Sequence, residues 1–286
     1  MTSLRPNGAA PCPKKNPPSL QRRLTWPWFL VVTVAYLAII QGAGILVGVD
    51  TSGAKGDFPT TEAVLRDGLI PVALSVLFGA AVVTRLGWWS DVLHYRAPVR
   101  RWVWCVPISM LAAALLAVNY GNLAAQPLSL VLSLLAMTLL VGIGEELMFR
   151  GIGVQVFKKA GLGEGKVALW SSLIFGAAHL SNALSDGGQA IGQAVIVSTS
   201  GFFLYLCLRA GGTILLPMLV HGLWDFGLLS SMAGTDPEGY PGIAVPILLQ
   251  VVLIVLLVVR RRSITPAPPH HAAAPGAPLP EPAPER

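Results

Sequence analysis

The chain has 286 residues, of which 53% are hydrophobic and only 12% charged, and its mean hydropathy is +0.64. Ordinary soluble domains carry about twice that charged fraction, so a soluble globular protein is excluded and an all-α, polytopic membrane bundle is expected. The formal charge of +6 does not indicate nucleic acid, because most of the basic residues flank apolar runs, the pattern that orients membrane proteins.

In chain order, residues 1–25 are polar and proline-rich and read as a disordered cytoplasmic tail. The first apolar run has spanning length and no A-x-A exit, so it is expected to be a retained span rather than a cleaved signal. A spanning helix needs roughly 20 apolar residues. Eight candidates meet that measure approximately: 27–48, 68–86, 102–119, 127–149, 167–183, 190–209, 212–231 and 243–260. Together they make one eight-helix membrane domain over 26–262. Residues 263–286, rich in Pro and Ala, form a second disordered cytoplasmic tail, whose His270–His271 pair reads as incidental. Cys12, Cys105 and Cys207 form no CxxC pair, so neither a disulfide framework nor a cysteine metal site is expected.

The charges between the runs test this count. Lys14, Lys15, Arg22 and Arg23 precede the first run, and Arg260–Arg262 end the last. Arg96, Arg100 and Arg101 lie between runs two and three; Lys158, Lys159 and Lys166 lie between four and five; Arg209 precedes run seven. The alternate loops are poor in Lys and Arg. That alternation predicts eight spans in the cell membrane with both termini cytoplasmic.

Ionisable groups inside a span are expensive and therefore functional candidates. Three clusters qualify: Glu145, Glu146 and Arg150 in GEELMFRG; His179 in FGAAH; His221 and Asp225 in HGLWD. Residues four apart share a helix face, so Glu146 can pair with Arg150. Glu145, about 100° further round, is left to face another neighbour. If the fourth helix stopped at Phe149, Glu145 would sit at the surface while His179 lay about 20 Å deeper at 1.5 Å per residue. The three clusters meet at one depth only if that helix continues through GIGVQVF to Phe157, with Lys158–Lys159 at the interface. A long, kinked fourth helix is therefore predicted.

Glutamate and histidine in a low-dielectric pocket can hold a water and remove its proton, as general-base hydrolysis requires. A second histidine beside a carboxylate can stabilise an oxyanion or protonate a leaving amine. The set also fits a two-histidine, one-carboxylate site for a divalent metal such as Zn, on Glu145, His179 and His221. HExxH and GxSxG are both absent.

EELMFR, FGAAH and HGLWD resemble, in order and rough spacing, the EExxxR, FxxxH and Hxxx(N/D) motifs of the CAAX prenyl protease type II and bacteriocin-processing (CPBP) intramembrane endopeptidases. The motif-bearing core covers about 127–230. The resemblance implies a peptide-bond hydrolase with its active site in a membrane cavity open toward the cytosolic side. By the same resemblance, Glu145 is the water-activating base assisted by His179. Glu146 and Arg150 are structural or oxyanion-side partners, and His221 and Asp225 complete the oxyanion site. Asp225 stands where eukaryotic-type members have asparagine, a change that suits a metal or a histidinium better than an oxyanion. The resemblance leaves metal-bound and metal-free glutamate mechanisms both open.

The expected partners are the lipid bilayer and a membrane-associated peptide or membrane-protein substrate. The short chain is bacterial in style, and bacteria generally lack prenylated CAAX proteins, so prenyl-protein processing is not expected. Two other classes compete. A non-catalytic binder such as a bacteriocin immunity factor should tolerate Glu145→Gln. A proton-coupled transporter should show corresponding halves, and no internal symmetry is visible.

Overall fold

The computed structural model describes residues 23–49, 58–183, 187–236 and 239–265. Most of both predicted tails, including Cys12 and His270–His271, lies outside them. The described residues form helices joined by short connections, with two isolated β-bridges, Phe58 to Ala233 and His94 to Thr213. Six helices are long and apolar enough to cross a membrane: α1 Trp26–Val47, α2 Thr61–Leu86, α6 Leu128–Lys159, α8 Gln189–Gly211, α9 Leu215–Met232 and α10 Pro241–Ser263. The short helices α3 (Trp89–Leu93) and α5 (Tyr120–Ala125) lie between them. A shorter apolar helix, α4 Arg101–Ala117, covers the predicted third span. The predicted fifth span becomes α7, Glu164–Ala178, which ends in a 3₁₀ turn at His179–Asn182. The protein is thus a polytopic helical bundle. Each predicted span falls on a helix, and among the described residues six reach crossing length, while α4 and α7 are shorter.

Local chemistry sets several of these ends. Thr60 caps α2, its hydroxyl accepting from the Ala63 amide at 3.1 Å, and Asn119 caps α5 by accepting from the Asn122 amide at 3.0 Å. Gly87 and Gly212 terminate α2 and α8 at φ 69° and 65°, conformations that side chains with a Cβ rarely adopt.

The helices run alternately up and down, which gathers the basic residues at one end. The end of α6 is tied to α3 by Lys159 Nζ on Asp91 at 2.8 Å and by Gln155 on the Asp91 carbonyl at 2.6 Å. Lys158 lies over the Tyr95 ring at 4.1 Å. Arg209 donates to the Pro98 carbonyl at 2.9 Å, and Trp102 to the Ser263 carbonyl at 2.8 Å. Glu164, at the start of α7, accepts from the Tyr95 hydroxyl at 2.9 Å and from the Tyr205 hydroxyl. Burial pushes the Tyr95 phenol well above the ordinary tyrosine range, which keeps it a donor to that carboxylate.

With lipid as solvent, close helix packing depends on small residues and shape. Where α6 crosses α9, a Cβ on Gly142 would lie 2.5 Å from the Met218 carbonyl oxygen and 2.6 Å from the Gly222 nitrogen. A Cβ on Gly222 would lie 2.8 Å from the Leu139 Cα. The two backbones touch through glycine, one residue from His221. Gly142→Leu should therefore force the helices apart and cost at least about 1–3 kcal/mol, the range for overpacking a tight site. Thermal unfolding in detergent measures the loss; an unchanged Tm would contradict the close approach.

Candidate active site

The fourth predicted span is the 32-residue helix α6, as the depth argument required. Its regular part closes with Glu145 and Glu146, and a π-helical stretch follows at Leu147–Gly153. Such stretches are rare and cluster at functional sites. Glu145 lies about 26 Å from the Leu128 end and about 21 Å from the Lys159 end at 1.5 Å per residue, near the middle of the helix.

The two adjacent carboxylates face different neighbours. Glu146 is fully buried, and its Oε1 accepts from Arg150 Nη1 at 2.8 Å and from His221 Nδ1 at 2.9 Å. Arg150, also fully buried, donates through Nη2 to the Gly201 carbonyl at 2.9 Å and sits 4.1 Å from the centre of the Phe175 ring. This one ion pair therefore links α6, α7, α8 and α9. A Cβ on Gly201 would come within 3.0 Å of Arg150 Nη2 and 2.9 Å of the Phe175 ring, so the glycine is what lets the guanidinium reach the backbone.

Glu145 instead faces the two histidines. Its Oε2 lies 3.7 Å from His221 Nε2 and 4.0 Å from His179 Nε2. That oxygen is buried and has no hydrogen-bond partner among the described residues. The tautomers follow from the other ring nitrogens. His221 Nδ1 meets a carboxylate, and His179 Nδ1 meets the Phe175 carbonyl at 3.0 Å. Both partners only accept, so both Nδ1 atoms carry protons and both Nε2 atoms face Glu145. Asp225, one turn after His221, places Oδ2 3.5 Å from His221 Nε2. Phe175 is the packing hub, edge-on to His179 at 5.0 Å and to His221 at 5.7 Å between ring centres.

The structure brings all six predicted residues, Glu145, Glu146, Arg150, His179, His221 and Asp225, into one cluster. Four of them line a cavity of about 750 Å³: Glu145, His179, His221 and Asp225. Its far wall comes from α8 and α10, which the motifs do not mark. There Gln250 donates to the Ile196 carbonyl at 2.8 Å and to Thr199, and accepts from Ser200 at 3.1 Å. Gln250 is the only polar side chain in the apolar stretch 244–259, a signal visible in the sequence. Nothing in the sequence marks Gly201, whose contribution is a carbonyl.

Glu145, His179 and His221 have the donor types of a zinc site, but tetrahedral zinc ligands lie about 3.3 Å apart, closer than these atoms stand. Among the described residues no three or more His, Cys, Asp or Glu form a group able to hold a metal. The side chains as placed are spaced too widely to fit a metal.

Residues 127–227 match the family model described as type II CAAX prenyl endopeptidase, Rce1-like. No curated protein and no solved structure matches the chain. The matched segment is about a third of the chain, begins just before α6, ends within α9 and contains the whole cluster. The core of this chain is thus similar to the type II CAAX prenyl endopeptidases of the Rce1-like kind, a likeness that supports a CAAX-type intramembrane protease in general.

Proposed function

We propose that the protein is an intramembrane endopeptidase of the cell membrane, with its basic end and both termini cytoplasmic, that hydrolyses peptide bonds of membrane-associated peptides or proteins. The observation that carries this reading is the buried, unpartnered Glu145 Oε2 facing two imidazole Nε2 atoms at 3.7 and 4.0 Å. These separations are too long for direct hydrogen bonds and suit a single bridging water. Glu145 takes a proton from that water, and His179 Nε2 orients it. The hydroxide forms a bond to the scissile carbonyl carbon, and the carbonyl π electrons move to oxygen. His221, carrying a proton on Nε2 as well as on Nδ1 and held as an imidazolium between Glu146 and Asp225, donates from Nε2 and stabilises that oxyanion. The tetrahedral intermediate then collapses, the C–N bond breaks, and the proton on Glu145 passes to the leaving amine. Glu146 and Arg150 hold His221 in place and do not touch substrate.

Comparative peptidomics of membranes containing wild type or Glu145→Gln tests the reading and identifies substrates. Fragments that depend on Glu145 support it, and identical peptide sets overturn it. The metal-free form of the mechanism has its own check. Purified protein dialysed against EDTA should keep full turnover; loss that returns with one equivalent of zinc would assign Glu145, His179 and His221 as ligands.

A further inference from the structure

Tyr36 lies on α1, outside the segment that the family model matches, yet it reaches the helix that carries the glutamates. The side chain is 1% exposed, and its hydroxyl has no hydrogen-bond partner among the described residues. A Cβ on Gly144 would lie 2.8 Å from that hydroxyl, 3.0 Å from a Val76 methyl and 3.8 Å from Ser75 Oγ. The phenol thus rests on the residue preceding Glu145, where only glycine leaves it room. Ser75, also buried, donates its own proton to the Val72 carbonyl at 2.7 Å and forms no hydrogen bond of ordinary geometry with the phenol. Gly144 is bonded directly to Glu145, so the phenol lies one residue from the carboxylate that faces the two histidines.

A buried hydroxyl without a partner is costly, and phenylalanine fills the same space without that cost. On packing grounds alone, the hydroxyl is a defect. It gains a purpose from its surroundings, because Glu145 Oε2 and Glu146 Oε2 are buried acceptors that also lack donors. One unpaired donor and two unpaired acceptors lie around the single turn that begins at Gly144.

We infer that Tyr36 is a positioning residue for Glu145: its phenolic proton is held for the Glu145 carboxylate, directly or through one water, and sets the orientation in which that carboxylate meets the catalytic water. This role rests on the reading of Glu145 as the base. It assigns α1, which bears none of the family motifs, a part in the chemistry.

The test is Tyr36→Phe in full-length protein reconstituted in liposomes, with a peptide recovered from the wild-type peptidome as substrate. Glu145→Gln is assayed alongside. The expected result is a tenfold or greater fall in kcat with KM unchanged and a Tm equal to or above wild type. A donor to a carboxylate favours its charged form, so the acid limb of the kcat–pH profile should also move toward higher pH. Unchanged kcat and pH profile overturn the inference. A fall in kcat accompanied by a lower Tm also overturns it, because the hydroxyl is then structural. Ser75→Ala should leave kcat as in wild type; if it reproduces the Tyr36→Phe defect, the phenol acts through Ser75 and the inference fails. Activity in Glu145→Gln defeats the base assignment itself, whereas an inactive Glu145→Gln beside a fully active Tyr36→Phe defeats only the role of Tyr36.

Discussion

Glu145→Gln should leave a folded protein whose kcat is lower by about 10²- to 10⁴-fold, the contribution typical of a positioned general base. Glutamine keeps the length and shape of the side chain, so the cavity wall and the approach to His179 and His221 persist. It cannot accept the proton that the attacking water must lose. KM should therefore change little, because the substrate still meets the same apolar surfaces. Single-turnover cleavage of a reconstituted membrane peptide, measured with Tm on the same preparation, separates the two effects. Wild-type kcat in this variant would remove Glu145 from the mechanism, whatever the neighbouring histidines do.

The second large effect concerns stability. Arg150→Met leaves the fully buried Glu146 carboxylate with only His221 as partner. It also deprives the Gly201 carbonyl of the Arg150 donor. Removing one member of a buried ion pair typically costs about 3–5 kcal/mol, while replacing both by apolar residues of similar volume is often neutral. Arg150→Met should accordingly unfold at a much lower temperature, and the double variant Glu146→Leu/Arg150→Met should recover most of the loss. The double variant should nevertheless stay inactive, because His221 Nδ1 then has no acceptor and the ring is free to turn. A double variant as unstable as the single one would mean that the pair has no independent energetic role. A double variant with wild-type turnover would mean that His221 needs no such anchor.

Much of this site was legible in the chain because helices repeat simply. The four-residue spacing of Glu146 and Arg150, and of His221 and Asp225, follows from one turn of helix. The length of α6 followed from requiring buried charges to share a depth, with Lys158 and Lys159 marking its end. Other features depend on which helices become neighbours, which periodicity does not encode. The Glu146–His221 bond exists because Gly142 and Gly222 let α6 and α9 touch. Gly201 contributes through its backbone, Tyr36 comes from a helix without a motif, and Gln250 declares itself only as a polar exception until α8 supplies its partners. The spans predicted at 102–119 and 167–183 fall on helices whose regular parts are shorter than a crossing helix. Their apolar composition continues into a 3₁₀ turn at His179–Asn182 and into the break at Val118, and hydropathy does not register such changes of geometry.

The π-helical stretch at Leu147–Gly153 also makes α6 intolerant of changes in length. On its near side, Glu145 and Glu146 are indexed to His179 and His221; on its far side, Gln155 and Lys159 are indexed to Asp91, and Phe157 meets Phe29 edge-on at 5.9 Å. Each residue advances a helix by about 100°, so losing one from the stretch would turn one set of contacts out of register with the other. Substitutions that merely weaken a contact can be absorbed along α6. An insertion or deletion of one residue between Glu146 and Gln155 cannot, so in this short segment the number of residues matters to the site as much as their identity.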